Sequence, residues 1–388
     1  MYTRREFGKL ALAGLPAAAV VGGSGSLFGA FAQAKPNSVI QGVTIGVITY
    51  SYRSLPDQSA EATLKYIVDS GISAIELMGG PVESFAGAPS TGRGGGPGGG
   101  GRGPGGGAPG GAREGGAARG GGTPPEMVVP PGSWKGQPCP AVRAPGARGG
   151  GPGQAPGGGG RRGMTPEQQA AMQEAASKVK AWRTSVSMDP FKKLRRMYND
   201  AGVNIYAWKQ LNPNMSDEEV EYIFNVAEAL GCTHTTLELP TDPAQLKRIG
   251  EFAMKKKIYA SYHTHLQGSM TAFDEAFALS KGNTANIDIG HYVAAGNPGG
   301  SPIQFFEKFH DRITSFHIKD RTTPEHCALN LPFGEGETPL REILSLLRKN
   351  KWKIPATIEL EYQIPEGSDP VKEVRRSFEY CRKLLSAT

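Results

Sequence analysis

Residues 258–265 read IYASYHTH, 285–291 ANIDIGH, 313–320 ITSFHIKD and 355–362 PATIELEY, and these four runs decide the fold. Each has strand length and β-rich composition, and helix-like or loop sequence separates it from the next. Side chains alternate faces along a strand, so His263 with His265, His317 with Lys319, and Glu359 with Glu361 each share a face. Four consecutive strands that end in His, Asp, His and Glu imply a metal site at one rim. A (β/α)8 barrel supplies such a rim, because its parallel strands bring their C-terminal ends to one mouth.

Working outward, four more strand-like runs precede these: 43–50, 73–78, 203–209 and 232–239. Helical stretches are expected at 59–69, 166–200, 216–229, 242–255, 269–279, 302–310, 338–349 and 369–386. In the third of these, Val220, Ile223, Val226 and Ala227 recur near helical spacing, with acids on the other side. Strands that alternate with helices argue for a parallel sheet covered by helices, and right-handed crossovers put all strand C-termini on one rim.

Two segments stand apart from this barrel. Residues 1–34 resemble a twin-arginine signal peptide: Arg4-Arg5-Glu6-Phe7-Gly8-Lys9, an Ala/Gly-rich apolar stretch, and Ala32-Gln33-Ala34 as a small-x-small cleavage site. Its apolar stretch is short and broken by glycines for a lasting membrane span. The expectation is a periplasmic or extracellular protein after export. Residues 88–163 are dominated by Gly, Pro, Ala and Arg and cannot bury enough apolar surface to offset their ordering entropy. They are expected to be a disordered insertion after strand two, with the stretch from Met127 to Trp134 able to touch the barrel. The barrel itself is then 35–87 plus 164–388.

The net charge of +7 misleads. Without both segments the chain carries 31 Lys/Arg against 33 Asp/Glu, so the basic balance belongs to the appendages and nucleic acid is not an expected partner. The four cysteines, Cys139, Cys232, Cys327 and Cys381, show no CxxC spacing and demand neither a disulfide nor a thiolate metal site.

Asp288-Ile289-Gly290-His291 resembles the DxxH motif of the xylose-isomerase-like TIM barrel superfamily, the sugar phosphate isomerase/epimerase type. Phe316-His317-Ile318-Lys319-Asp320 resembles its H-x-K-D motif, and Pro355-Ala356-Thr357-Ile358-Glu359 its last strand. The likeness spans most of residues 40–386 outside the Gly-rich block. It implies one divalent metal (Mn, Zn, Co, Fe or Mg) held by four side chains on strands five to eight. Carried onto this chain, they are His263, Asp288, His317 and Glu359. The chain departs at the first position, where the family has Glu.

That departure removes one of the two carboxylates that move the proton in related epimerases. Glu238, inward-facing at the end of strand four, is the candidate replacement, so the expected catalytic groups are Glu238, Glu359 and Lys319. Glu76, Lys209, His265, His291 and Glu361 are expected to bind substrate. The expected function is an exported metal-dependent isomerase or epimerase acting on an unphosphorylated sugar, keto-sugar or cyclitol through an enediolate. A keto-sugar or glycoside lyase or dehydratase and a non-catalytic sugar-binding barrel are the alternatives. A phosphodiesterase would need further metal ligands on strands two and three, where no histidine ends the run. The expected partner is a small carbohydrate, and the sequence does not set the oligomeric state.

Overall fold

The computed structural model describes residues 35–89, 127–128, 132–140, 142–143 and 165–387. The expected signal peptide, and the expected disorder across most of 88–163, lie outside the described residues.

Eight parallel strands close on themselves: β1 (Val43–Ile48), β2 (Ala74–Met78), β3 (Asn204–Lys209), β4 (His234–Glu238), β5 (Tyr259–His263), β6 (Asn283–Asp288), β7 (Ile313–Ile318) and β8 (Ala356–Ile358). Each pairs with the next, and β8 pairs back onto β1. A short antiparallel strand, Val39–Ile40, caps β1. The helices are α1 (Ala60–Asp69), α2 (Gly79–Phe85), α3 (Pro166–Arg183), α4 (Asp189–Asp200), α5 (Asp217–Leu230), α6 (Pro243–Lys256), α7 (Asp274–Leu279), α8 (Ile289–Ala294), α9 (Pro302–Phe309), α10 (Leu340–Asn350) and α11 (Pro370–Ser386). The chain is a TIM barrel with an insertion after its second strand.

Period-two alternation sorts the strand residues into two environments. Outward positions such as Ile45, Val47, Ile75, Leu77, Trp208, Ile287, Phe316 and Ile358 are buried against the helices and form the apolar core. Trp208 donates its indole N–H to the Ile223 carbonyl of α5, and Tyr262 bonds Asn283; both are packing residues, as their faces predict. Inward positions are largely polar: Glu76, His234, Thr236, Asn286, Ser315 and Thr357 are all fully buried. Burying so many polar groups costs stability unless each finds a partner. Here they find one another: His234 Nε2 with Ser315 Oγ at 2.8 Å, Tyr206 with Thr357 at 2.7 Å, and Thr236 donating to Glu76 at 2.6 Å.

The structure departs from the sequence reading at three places that matter for the rim. The stretch 166–200 is two helices, because the chain leaves helix at 184–188. The sixth strand stops at Asp288, whose side chain accepts the His291 amide at 2.8 Å and starts α8, so His291 lies on a helix and not a strand. Within the Gly-rich block, Ser133–Trp134 pairs with Gln137–Pro138 around Lys135 (φ 49°) and Gly136 (φ 77°), a two-residue hairpin turn with both φ positive. Cys139 forms a disulfide with Cys327, 188 residues away, in the loop after β7. Trp134 packs on His326 of the same loop, ring centres 5.4 Å apart. This part of the insertion is therefore a structured element fixed to the rim.

Candidate metal centre and active site

His263 ends β5 and Asp288 ends β6. His317 lies on β7 directly opposite Asp288, and Glu359 directly follows β8. One donor atom from each of these four side chains lies within 4.8 Å of the other three, and none of the four is more than 6% exposed. The four side chains that the resemblance assigns to the metal thus meet at one point.

A second ring of polar groups orients both imidazoles. Asn286 sits two residues before Asp288 on the same inward face. Its amide nitrogen donates to Ser315 Oγ (2.7 Å) and Glu76 Oε2 (3.3 Å), which turns its oxygen toward His263 Nδ1 at 2.9 Å. Because that oxygen can only accept, Nδ1 carries the proton and Nε2 keeps its lone pair. On the other histidine, Nε2 faces Glu76 Oε2 at 2.9 Å and Nδ1 faces Glu359 Oε2 at 2.8 Å. Burial alone would depress the His317 pKa, but Glu76 and Glu359 on its two nitrogens raise it to about 10. Burial drives the His263 pKa the other way, to about 3, with Lys209 and His317 adding to the shift.

Asp288 Oδ2 is buried and accepts no hydrogen bond, and the Lys319 ammonium is an ion-pair partner 2.9 Å away. A buried carboxylate oxygen left so, facing two imidazoles and a second carboxylate, fits a divalent ion. Carboxylate–histidine pairing of the kind Glu76 makes is the usual outer support of such a site.

Lys319 is a fixed charge. Its ammonium contacts Glu359 (2.8 Å) and Glu361 (2.7 Å) as well as Asp288. Burial would strip its proton, but these three carboxylates hold it firmly cationic. It can stabilise negative charge and cannot shuttle protons at neutral pH, which narrows its expected catalytic role.

Glu238, one-third exposed, pairs with Lys209 at 2.8 Å and with His265 Nδ1 at 3.2 Å. Burial would raise its pKa, yet Lys209, His265 and His263 keep it well below the usual carboxylate value. Glu238, His263 and His265 offer donor atoms within 4.8 Å of one another, so the carboxylate stands beside the quartet. Glu361 follows β8, four strands away and hence across the mouth from β4; it bonds Lys319 and, at 3.2 Å, His291.

Two expected substrate contacts are corrected. Glu76 is fully buried and gives its oxygens to Thr236, His317 and Asn286; it lies below the mouth and positions His317. His291 is 2% exposed and held between Arg321 (2.6 Å) on one nitrogen and Lys319 and Glu361 on the other. Glu359, expected to serve also as a base, has one oxygen taken by His317 and Lys319. Lys209, His265 and Glu361 are the partly exposed groups at the mouth. The sequence reading missed Asn286 and Ser315, although both share the inward face of a quartet member two residues on. A separate cavity of about 670 Å³, lined by Ser59, Phe85 and Lys193 among others, holds none of these groups.

Several solved structures are similar to the chain. One is a sugar phosphate isomerase/epimerase of Parabacteroides distasonis ATCC 8503: 14% identity, 87% of this chain, 93% of that chain, TM-score 0.47. Another is the probable 3-DHS dehydratase AsbF of Bacillus anthracis: 12% identity, 87% and 98%, TM-score 0.49. A third is a xylose isomerase-like TIM barrel protein of Mycobacterium smegmatis in complex with magnesium: 18% identity, 53% and 80%, TM-score 0.38. No curated protein sequence matches the chain. Residues 185–384, more than half of the chain, match the xylose isomerase-like TIM barrel family, and the chain belongs to that family.

Proposed function

We propose that this barrel is a divalent-metal-dependent isomerase or epimerase of an unphosphorylated sugar, keto-sugar or cyclitol. The observation that carries the reading is the one-third-exposed Glu238 carboxylate beside a buried His263–Asp288–His317–Glu359 quartet at the rim. A divalent ion held by that quartet would polarise a carbonyl and its neighbouring hydroxyl and so acidify the adjacent C–H. Glu238 takes that proton, leaving an enediolate. Lys209 and His265 hold the carboxylate in place. Lys319 opposes the negative charge that develops across the mouth. Returning the proton to the neighbouring carbon gives an isomer, and returning it to the opposite face gives an epimer.

The cations at the mouth argue for an uncharged substrate. Lys209 is paired with Glu238, Lys319 with three carboxylates, and Arg321 with His291 and the Ala328 carbonyl. At Lys209 and Lys319 a phosphate would have to compete with acids already bound. The β-elimination reading gains one observation: Glu238, one-third exposed, is the more accessible carboxylate and Glu359 is buried, so a single base suffices to expel a leaving group. Incubation with a panel of sugars, keto-sugars and inososes in deuterated water tests both. Deuterium in recovered substrate or its isomer supports proton return, and an unsaturated product supports elimination. No exchange and no product across the panel would leave a sugar-binding barrel.

We also propose export by the twin-arginine route. The Cys139–Cys327 bridge supports it, since such bonds persist in oxidising compartments. No helix among the described residues is long and apolar enough to cross a membrane. Protein recovered from the periplasm and denatured without reductant should titrate two thiols, Cys232 and Cys381. Four thiols, or recovery only from the cytoplasm, would contradict this.

A further inference from the structure

We propose that His263, held in one tautomer by Asn286, makes this centre selective for a late first-row ion, Fe²⁺ to Zn²⁺, over Mg²⁺. The inference rests on the metal reading of the quartet and goes beyond it, because the ion is chosen by this chain's own donor set.

The quartet offers two imidazole nitrogens and two carboxylate oxygens. Imidazole nitrogen favours the later divalent ions, and its advantage grows from Mn²⁺ toward Cu²⁺. Mg²⁺ prefers oxygen, keeps several waters, and gains little from a nitrogen that replaces one. Asp288 and Glu359 supply two carboxylate charges, which match a divalent ion. Lys319 already sits against both carboxylates, at 2.9 and 2.8 Å, and weakens their pull on a hard cation.

Such preference requires that the nitrogens be presented, not merely present. His263 is 1% exposed, and Asn286 fixes its ring at 2.9 Å through Nδ1, leaving Nε2 as the nitrogen with a lone pair to give. Asn286 is in turn held by Ser315 and Glu76, and Glu76 also holds His317. One buried network therefore orients both nitrogen donors. Asn286 is a positioning residue here: it touches a ligand and not the ion.

The test uses the full exported protein, stripped with chelator and dialysed against Co²⁺ with a hundredfold excess of Mg²⁺. Bound metal is measured by mass spectrometry and the Co²⁺ environment by visible absorption. Wild type should take about one equivalent of Co²⁺ with a spectrum typical of mixed nitrogen–oxygen donors. His263→Glu and His263→Gln, the latter a neutral oxygen donor, should each lose at least tenfold in Co²⁺-over-Mg²⁺ preference. Asn286→Leu should weaken Co²⁺ binding about 10–100-fold, the scale of second-ring losses. Thermal melts of the stripped variants separate misfolding from altered binding. Mg²⁺ filling wild type despite the Co²⁺, or unchanged preference in both folded His263 variants, would overturn the proposal while sparing the metal reading. No divalent ion on wild type would overturn both.

Discussion

Glu238→Gln is expected to lower turnover by about 10²-fold or more, the scale of a lost general base. The amide keeps the shape of the side chain but cannot accept a proton from carbon. It also releases Lys209, whose 2.8 Å contact loses its charge. Metal content should stay near that of wild type, because Glu238 lies beside the quartet and not among its four members. Steady-state kinetics with parallel metal analysis checks both statements. Turnover equal to wild type would remove Glu238 from the chemistry and leave Glu361, across the mouth, as the partly exposed carboxylate to examine.

Glu76→Ala should damage both fold and site. It strips the partner from His317 Nε2 and an acceptor from Thr236 and Asn286, all fully buried. Removing one member of a buried charged pair costs about 3–5 kcal/mol, and metal affinity should drop about 10–100-fold as the imidazole loses its orientation. Urea unfolding and competition with a metal indicator read the two effects. Stability within about 1 kcal/mol of wild type, with unchanged affinity, would show that Glu76 supports nothing. The same pairing means that His317→Ala, which removes one of the quartet, also strands Glu76 and should melt earlier than Asp288→Asn.

The barrel was legible in the sequence because its strands obey period two so strictly. Ile45 and Val47 mark one face of β1, and the donors of β5 to β8 fall on the inward face at the strand ends, where function gathers in this architecture. Face was readable, but depth was not. Glu76 has an inward parity like that of Glu238, yet it lies one layer lower and is sealed by Thr236, Asn286 and His317. His291 was misplaced for a local reason: Asp288 caps a helix, and from there the chain follows helical and not strand geometry. The Cys139–Cys327 bridge left no trace in spacing, since 188 residues and most of the barrel separate its ends. The Ser133–Pro138 hairpin lies in a block whose composition argues against structure, and the disulfide compensates for the apolar contacts it lacks.

Proton abstraction should depend on a divalent ion held by the buried quartet. Solvent deuterium exchange into a responsive sugar, measured before chelation, after chelation and after return of one equivalent of divalent ion, tests it most directly. Exchange should disappear on chelation and return with the ion, with Asp288→Asn inactive throughout. Exchange that survives complete removal of metal from a folded protein would contradict it.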